Sequence, residues 1–105
     1  MTTRIESISG GIRVTGEMTV YTAGQIKEPL LDAITDAPAN IQLDLSEVSE
    51  LDTAGVQLLL LIRRAALASG RNLQLGAESA IVRDVLTLCG AIGLLTDPPI
   101  AGRRS

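Results

Sequence analysis

Several residue types with specialised chemistry are missing or nearly missing from this sequence. It contains no histidine, tryptophan or phenylalanine, one tyrosine and one cysteine. The absence of histidine removes both the commonest general base and the commonest metal ligand. A single cysteine, Cys89, excludes an internal disulfide and a cysteine-based metal site, and its helical apolar surroundings predict a small buried side chain. A single aromatic residue, Tyr21, excludes a base-stacking platform. No metal or cofactor is therefore expected.

Charge and apolar runs are also sparse. The net charge is −3, and the nine basic residues are dispersed, with only Arg63-Arg64 and Arg103-Arg104 adjacent, so nucleic acid is not an expected partner. No apolar stretch approaches the ~20 residues of a membrane span, and the polar N-terminus lacks the hydrophobic region of a signal peptide. A lone cysteine fits a reducing compartment. These features predict a cytoplasmic protein with no direct membrane insertion.

The apolar pattern predicts alternating strands and helices in a chain of 105 residues, the size of one domain. Alternation around Gly10-Gly11 predicts an N-terminal hairpin, and Ile41, Leu43 and Leu45 predict a central strand. The expected fold class is α/β, with a mixed, mostly parallel sheet of four to five strands and about three helices packed against it. Strands are predicted near residues 4–9, 11–15, 41–45, 72–75 and 92–95, helices near 22–36, 54–69 and 79–89, and a loose tail from about 98.

Local signals predict how the first and third helices begin and which way they face. Thr22 with Gln25 three residues later predicts a capping box. Pro29 then predicts a kink, or a later start near Glu28, because proline breaks the helical hydrogen-bond ladder. The third helix is expected to open at Ser79 and to bury one apolar face, made of Ile81, Val82, Val85, Leu88 and Cys89.

The most informative stretch joins the central strand to the second helix. Residues 46–53 are rich in short polar side chains and predict a tight loop. The second helix should begin near Asp52 or Thr53, since either side chain can accept from the unpaired amides of the first turn. Gly55 would let another backbone approach that turn closely. An Asp-Thr pair alone is most often only a helix cap.

A longer pattern around this stretch resembles the STAS domain, the fold of bacterial anti-sigma-factor antagonists. The matching residues are Asp44-Leu45-Ser46, then Asp52-Thr53-Ala54-Gly55-Val56 and an apolar helix. Residues 16–23, Gly-Glu-Met-Thr-Val-Tyr-Thr-Ala, are similar to a second family segment that enters the first helix, and the resemblance covers about residues 12–95. It implies a non-enzymatic regulatory module that binds an anti-sigma factor or serine/threonine kinase and is reset by a phosphatase. It also implies that Thr53 is the phosphoacceptor.

The second helix is apolar over more than a core-facing stripe, so its outer face is either covered by neighbouring elements or available to a partner. We expect a partner to dock at the loops 19–22 and 46–55 and at this outer face, because these polar loops gather at one end of the sheet next to surplus apolar surface. The residues expected to contact the partner are Thr19, Tyr21, Asp44, Ser46, Ser49, Asp52, Thr53, Gly55, Gln57, Leu60 and Leu61.

Other functions stay open. The chain carries Thr19 where antagonists usually have an aspartate, and Thr53 is followed by Ala54. Thr-Ala-Gly also resembles the unphosphorylated STAS subunits of ABC-type lipid transport assemblies, and a small-ligand-binding STAS domain is a third alternative. A second copy of the chain could also be a partner. Catalysis by Thr53 is disfavoured, because Asp44 or Asp52 would be a weak base at an ordinary carboxyl pKa.

Overall fold

The computed structural model describes residues 3–96 and gives the predicted α/β architecture. Within that range four strands form one sheet in the order β1-β2-β3-β4, with β1 and β2 antiparallel and the other two pairs parallel. The loose tail predicted from about residue 98 lies outside the described residues. The elements are β1 (Arg4–Ile8), β2 (Gly11–Met18), α1 (Ala23–Thr35), β3 (Asn40–Leu51), α2 (Thr53–Ala68), β4 (Asn72–Glu78), α3 (Ala80–Leu88) and α4 (Ile92–Thr96).

The core forms where β3 meets the helices that cross over between parallel strands. Ile41, Leu43 and Leu45 are at most 1% exposed, as their alternation predicts. Helix α1 contributes Ile26, Leu30 and Ile34 to the same cluster, and α2 contributes Leu59 and Ile62 among others. The intervening residues of β3, Gln42 and Asp44, point to the other side of the sheet because successive side chains of a strand alternate. None of the helices within residues 3–96 is long and apolar enough to cross a membrane.

Strand β3 is longer than predicted, since residues 46–51 continue it and do not form a loop. They pair with β2 as far as Met18 opposite Leu51, and two register shifts interrupt the pairing. The shifts break the strict period of two, so buried Val48 and Leu51 stand three residues apart among exposed polar residues. Residues 46–51 therefore have the amino-acid composition of a loop, although their backbone is extended.

Helix α1 begins at Ala23 and continues through Pro29, so the later start near Glu28 was wrong. The kink predicted at Pro29 stays a prediction. Proline has no backbone N–H, so Pro29 leaves the carbonyl of Gln25 without its helical donor. Both residues are exposed, so water can donate to that carbonyl. The capping box was also wrong: Thr22 precedes the helix but makes no side-chain bond to its first turn.

The C-terminal elements depart most from the sequence expectation. Ser79 caps α3 as predicted, by accepting from the amide of Val82, but Leu88 is 87% exposed and Cys89 is also exposed. The buried side chains are Val82 and Leu86, four residues apart, so the helix is rotated from the predicted face. Residues 92–96 form the short helix α4 and not a strand, with Ala91 and Leu95 buried at helical spacing.

Candidate functional site

The candidate site lies where the β2–α1 loop meets the start of α2, and Asp52 joins the two. One carboxylate oxygen, Oδ1, accepts from the amide of Gly55 at 3.1 Å and so caps α2. The other, Oδ2, accepts from the amide of Val20 at 2.9 Å. The backbone amide of Asp52 also donates to the carbonyl of Met18 at 3.3 Å. A single side chain therefore fixes the position of a loop and of a helix terminus together.

The loop from Thr19 to Thr22 is held by its own hydroxyl groups. Thr22 Oγ1 donates to the carbonyl of Glu17 at 2.9 Å and accepts from the amide of Thr19 at 3.0 Å. Thr19 Oγ1 accepts from the amide of Tyr21 at 3.3 Å. Both threonines are buried, at 9% and 8% exposure. These bonds occupy the Thr22 hydroxyl that the sequence assigned to a capping box, and they give the loop a defined shape.

Gly55 is needed because the first turn of α2 packs directly on strand β2. A Cβ atom at this position would lie 2.1 Å from the carbonyl oxygen of Met18 and 2.6 Å from Cδ1 of Leu51. Neither distance is compatible with a side chain, and the first obstacle is backbone. The close approach expected of Gly55 from the sequence is confirmed. It brings the N-terminus of α2 against the β2–α1 loop.

Thr53 is the first residue of α2 and is exposed. Within residues 3–96 its hydroxyl makes no hydrogen bond, since Asp52 provides the cap. Next to it the loop exposes Val20 at 63% and Tyr21 at 86%. The chain thus presents an exposed hydroxyl directly after Asp52, whose side chain binds the loop that exposes Val20 and Tyr21. Chemically, this arrangement can take a covalent phosphate or dock against a complementary protein surface.

Comparison with known proteins identifies the fold family. Residues 1–96 match the family described as "Mlab, STAS domain". The chain belongs to the STAS domain family. Among solved structures it is similar to the anti-sigma factor antagonist SpoIIAA in its unphosphorylated form, with 27% identity, a TM-score of 0.66, and coverage of 95% of this chain and 90% of that one.

Two further structures resemble this STAS domain in fold. An anti-sigma factor antagonist from Mycobacterium paratuberculosis has 23% identity and a TM-score of 0.71, with 91% of this chain and 82% of that chain covered. The Bacillus cell fate determinant SpoIIAA in its phosphorylated form has 24% identity and a TM-score of 0.60, with 95% and 93% covered.

Other predicted contact residues of the STAS domain lie away from Thr53. Asp44 and Ser46 stand within β3, where Asp44 Oδ1 accepts from the Ser46 hydroxyl at 2.6 Å and from its amide at 2.9 Å. Asp44 Oδ2 accepts from Arg13 Nε at 3.0 Å. Hydrogen bonds from Ser46, with a smaller effect of Arg13, lower the pKa of Asp44. Ser46 is five residues, or roughly 17 Å of strand, from Leu51, so these two residues lie further back along β3 than the start of α2, and their contact with a partner stays a prediction.

The remaining predicted residues divide by exposure. Ser49 and Gln57 are exposed, so their side chains are available to a partner. Leu60 and Leu61 are half-buried and pack against the core, which limits the apolar surface that α2 offers. Val20 lies inside the predicted docking loop 19–22 but was not named as a contact residue, although its apolar side chain follows the end of β2 among polar residues. That position was the signal that could have identified it.

Proposed function

We propose that this STAS domain is a non-enzymatic regulatory module that binds a protein partner at the Thr53 site. The partner class is an anti-sigma factor or serine/threonine kinase, and phosphorylation of Thr53, reversed by a phosphatase, switches the binding. The observation that carries the proposal is the exposed Thr53 hydroxyl at the start of α2, directly after Asp52, which binds the loop that exposes Val20 and Tyr21. SpoIIAA, at 27% identity, is described as an anti-sigma factor antagonist in an unphosphorylated form, which supports the same kind of switch here.

The chemistry around Thr53 favours binding over catalysis. A Thr nucleophile needs a base that can take its proton. Both oxygens of Asp52 already accept backbone amides, from Val20 and Gly55, and Asp44 lies within the sheet with a lowered pKa. Neither carboxylate is suited to activate the hydroxyl. A partner kinase would have to supply the phosphoryl group and the catalytic machinery.

The local electrostatics would let the fold tolerate a phosphate on Thr53. The helix N-terminus stabilises an anion there by ~0.3–1 kcal/mol, and up to ~2 kcal/mol when partly buried. A carboxylate at ~4 Å, such as that of Asp52, would oppose it by about 1 kcal/mol in water and up to about 4 kcal/mol at a lower effective dielectric. These opposing contributions are of similar size. A docking partner, in contrast, would have to desolvate a charge of about −1.5 to −2, so the phosphate should act on binding.

The decisive experiment combines intact-mass analysis with binding by Thr53 variants. Protein isolated from its native cell should carry one phosphate, mapped to Thr53. Thr53→Ala should weaken partner binding about tenfold to a hundredfold, because it leaves an interface group unpaired at ~1–3 kcal/mol. Thr53→Glu should reduce binding at least as much, and Thr53→Ser should bind normally and accept label from the kinase.

Thr87, exposed on α3, supplies the matched control. Thr87→Ala should bind and melt like wild type. The free energy of unfolding of every Thr53 variant should lie within about 1 kcal/mol of the wild-type value, because Asp52 still caps α2. If Thr53→Ala binds and signals normally, Thr53 is dispensable and the proposed function is wrong.

A second candidate is a subunit of an ABC-type lipid transport assembly in which Thr53 contacts its partner without being phosphorylated. The matching family is described as "Mlab, STAS domain" and not as an anti-sigma factor antagonist, so the family match and the structural neighbours name different groups. The Thr53 hydroxyl would then donate to an acceptor on the partner. Under this alternative Thr53→Ser keeps activity, no phosphate is found, and the partner kinase transfers no label.

A further inference from the structure

A shallow groove runs along α2 from Leu60 to Leu67, beginning about two turns beyond Thr53. It encloses about 220 Å³ and is lined by Leu60, Arg63, Arg64 and Leu67. These positions follow the i, i+3, i+4, i+7 spacing of one helix face, so the groove extends about 10 Å along the axis. Leu67 is 38% exposed, and Arg64 is exposed as well. The groove therefore has an apolar side chain at each end and two guanidinium groups between them.

Both arginines lack an acidic partner within residues 3–96. The ion pairs there join Arg13 to Asp44 and Arg83 to Glu78. The Nε atom of Arg63 is buried and makes no hydrogen bond in the described part of the chain. A buried donor without an acceptor is destabilising, and a guanidinium binds a carboxylate through two parallel hydrogen bonds. Arg63 as a whole is half-buried and Arg64 is exposed, so a carboxylate on the groove would give both guanidinium charges a partner.

We propose that this groove binds an acidic amphipathic helix of a partner protein, with one carboxylate between two apolar side chains. A volume of about 220 Å³ is below the ~300–1,000 Å³ typical of small-ligand pockets and suits one or two side chains. A flat anionic membrane fits less well, because the surface is concave and the whole chain carries a net charge of −3. The proposal goes beyond the function proposed for Thr53 and does not depend on it.

The test uses a cross-linked helical peptide that carries a leucine, a glutamate four residues later and a second leucine three residues after that. A matched peptide has glutamine in place of the glutamate. Each is titrated into nitrogen-15-labelled full chain while the amide shifts are followed. We expect shifts concentrated at residues 60–67 and binding about tenfold weaker for the glutamine peptide, since a charge-assisted bond is lost. Added salt should weaken only the glutamate peptide.

Arg63→Gln with Arg64→Gln should remove the difference between the two peptides. Arg4→Gln, on the exposed edge strand β1, removes a charge elsewhere and should leave that difference intact. Thr53→Ala should bind the peptide like wild type, which separates this proposal from the Thr53 site. Equal binding of the two peptides, or no shifts at residues 60–67 at millimolar peptide, overturns the proposal. Shifts at these residues produced by anionic vesicles and not by the peptide overturn it in favour of a membrane surface.

Discussion

Asp52 should contribute to stability through two separable hydrogen bonds, one to Gly55 and one to Val20. Asp52→Ala removes both. Loss of the helix cap costs typically ~1 kcal/mol, and loss of the bond to Val20, which is solvent-exposed, costs roughly 0.5–1.5 kcal/mol. The free energy of unfolding should therefore fall by about 2 kcal/mol. For a domain of this size that lowers Tm by roughly 8–16 °C.

Asp52→Asn distinguishes the two bonds. The asparagine oxygen can still accept from Gly55, because asparagine caps helices about as well as aspartate. Its amide nitrogen is a donor and cannot accept from Val20. We expect this variant to lose about 1 kcal/mol, roughly half the effect of alanine.

Urea unfolding and amide exchange provide the measurements. Exchange at Val20 should become faster in both Asp52 variants, and exchange in the first turn of α2 only in the alanine variant. Asp84, exposed on α3, serves as control, and Asp84→Asn should stay within about 0.5 kcal/mol of wild type. If the Asn and Ala variants unfold alike, or both match wild type, Asp52 does not join the loop to the helix as described.

Two other predictions follow from the site and the sheet. Gly55→Ala should lower the free energy of unfolding in urea by at least ~1–3 kcal/mol, because its Cβ would lie 2.1 Å from the Met18 carbonyl oxygen. Gly24→Ala is the control: there is open space around the new atom, so it should stabilise α1 by roughly 0.5–1 kcal/mol. Equal effects of the two substitutions would contradict the close packing at Gly55. Ser46→Ala should raise the pKa of Asp44 toward its ordinary value in a carboxyl-carbon NMR titration. The pKa of Asp44 is lowered in the folded state, so its contribution to stability is present above the unfolded pKa of about 3.9 and is lost as pH falls through the folded pKa. An unchanged titration in the variant would show that the Ser46 hydroxyl is not the main cause.

The sequence correctly predicts the parts of the fold in which local chemistry and burial agree. Ile41, Leu43 and Leu45 alternate on a strand whose one face is buried, so periodicity was sufficient to predict it. The same holds for the start of α2, where an aspartate caps the helix through its own side chain. The STAS motif also identified the family and placed Thr53 at the start of α2, because the motif covers a short local segment that joins a strand to a helix.

Other features depend on neighbours that are distant in sequence, and the assembled fold determines them. Thr22 bonds to the carbonyl of Glu17 and not to its own helix, and Asp52 reaches Val20 across 32 positions of the chain. Helix α3 has two adjacent apolar stripes. Its packing buries Val82 and Leu86 and leaves Leu88 exposed. The register shifts between β2 and β3 likewise exist only in the pairing of two strands. Local sequence cannot predict these features, because each depends on which of several possible faces is buried more. The packed core, and not the local sequence, determines that burial.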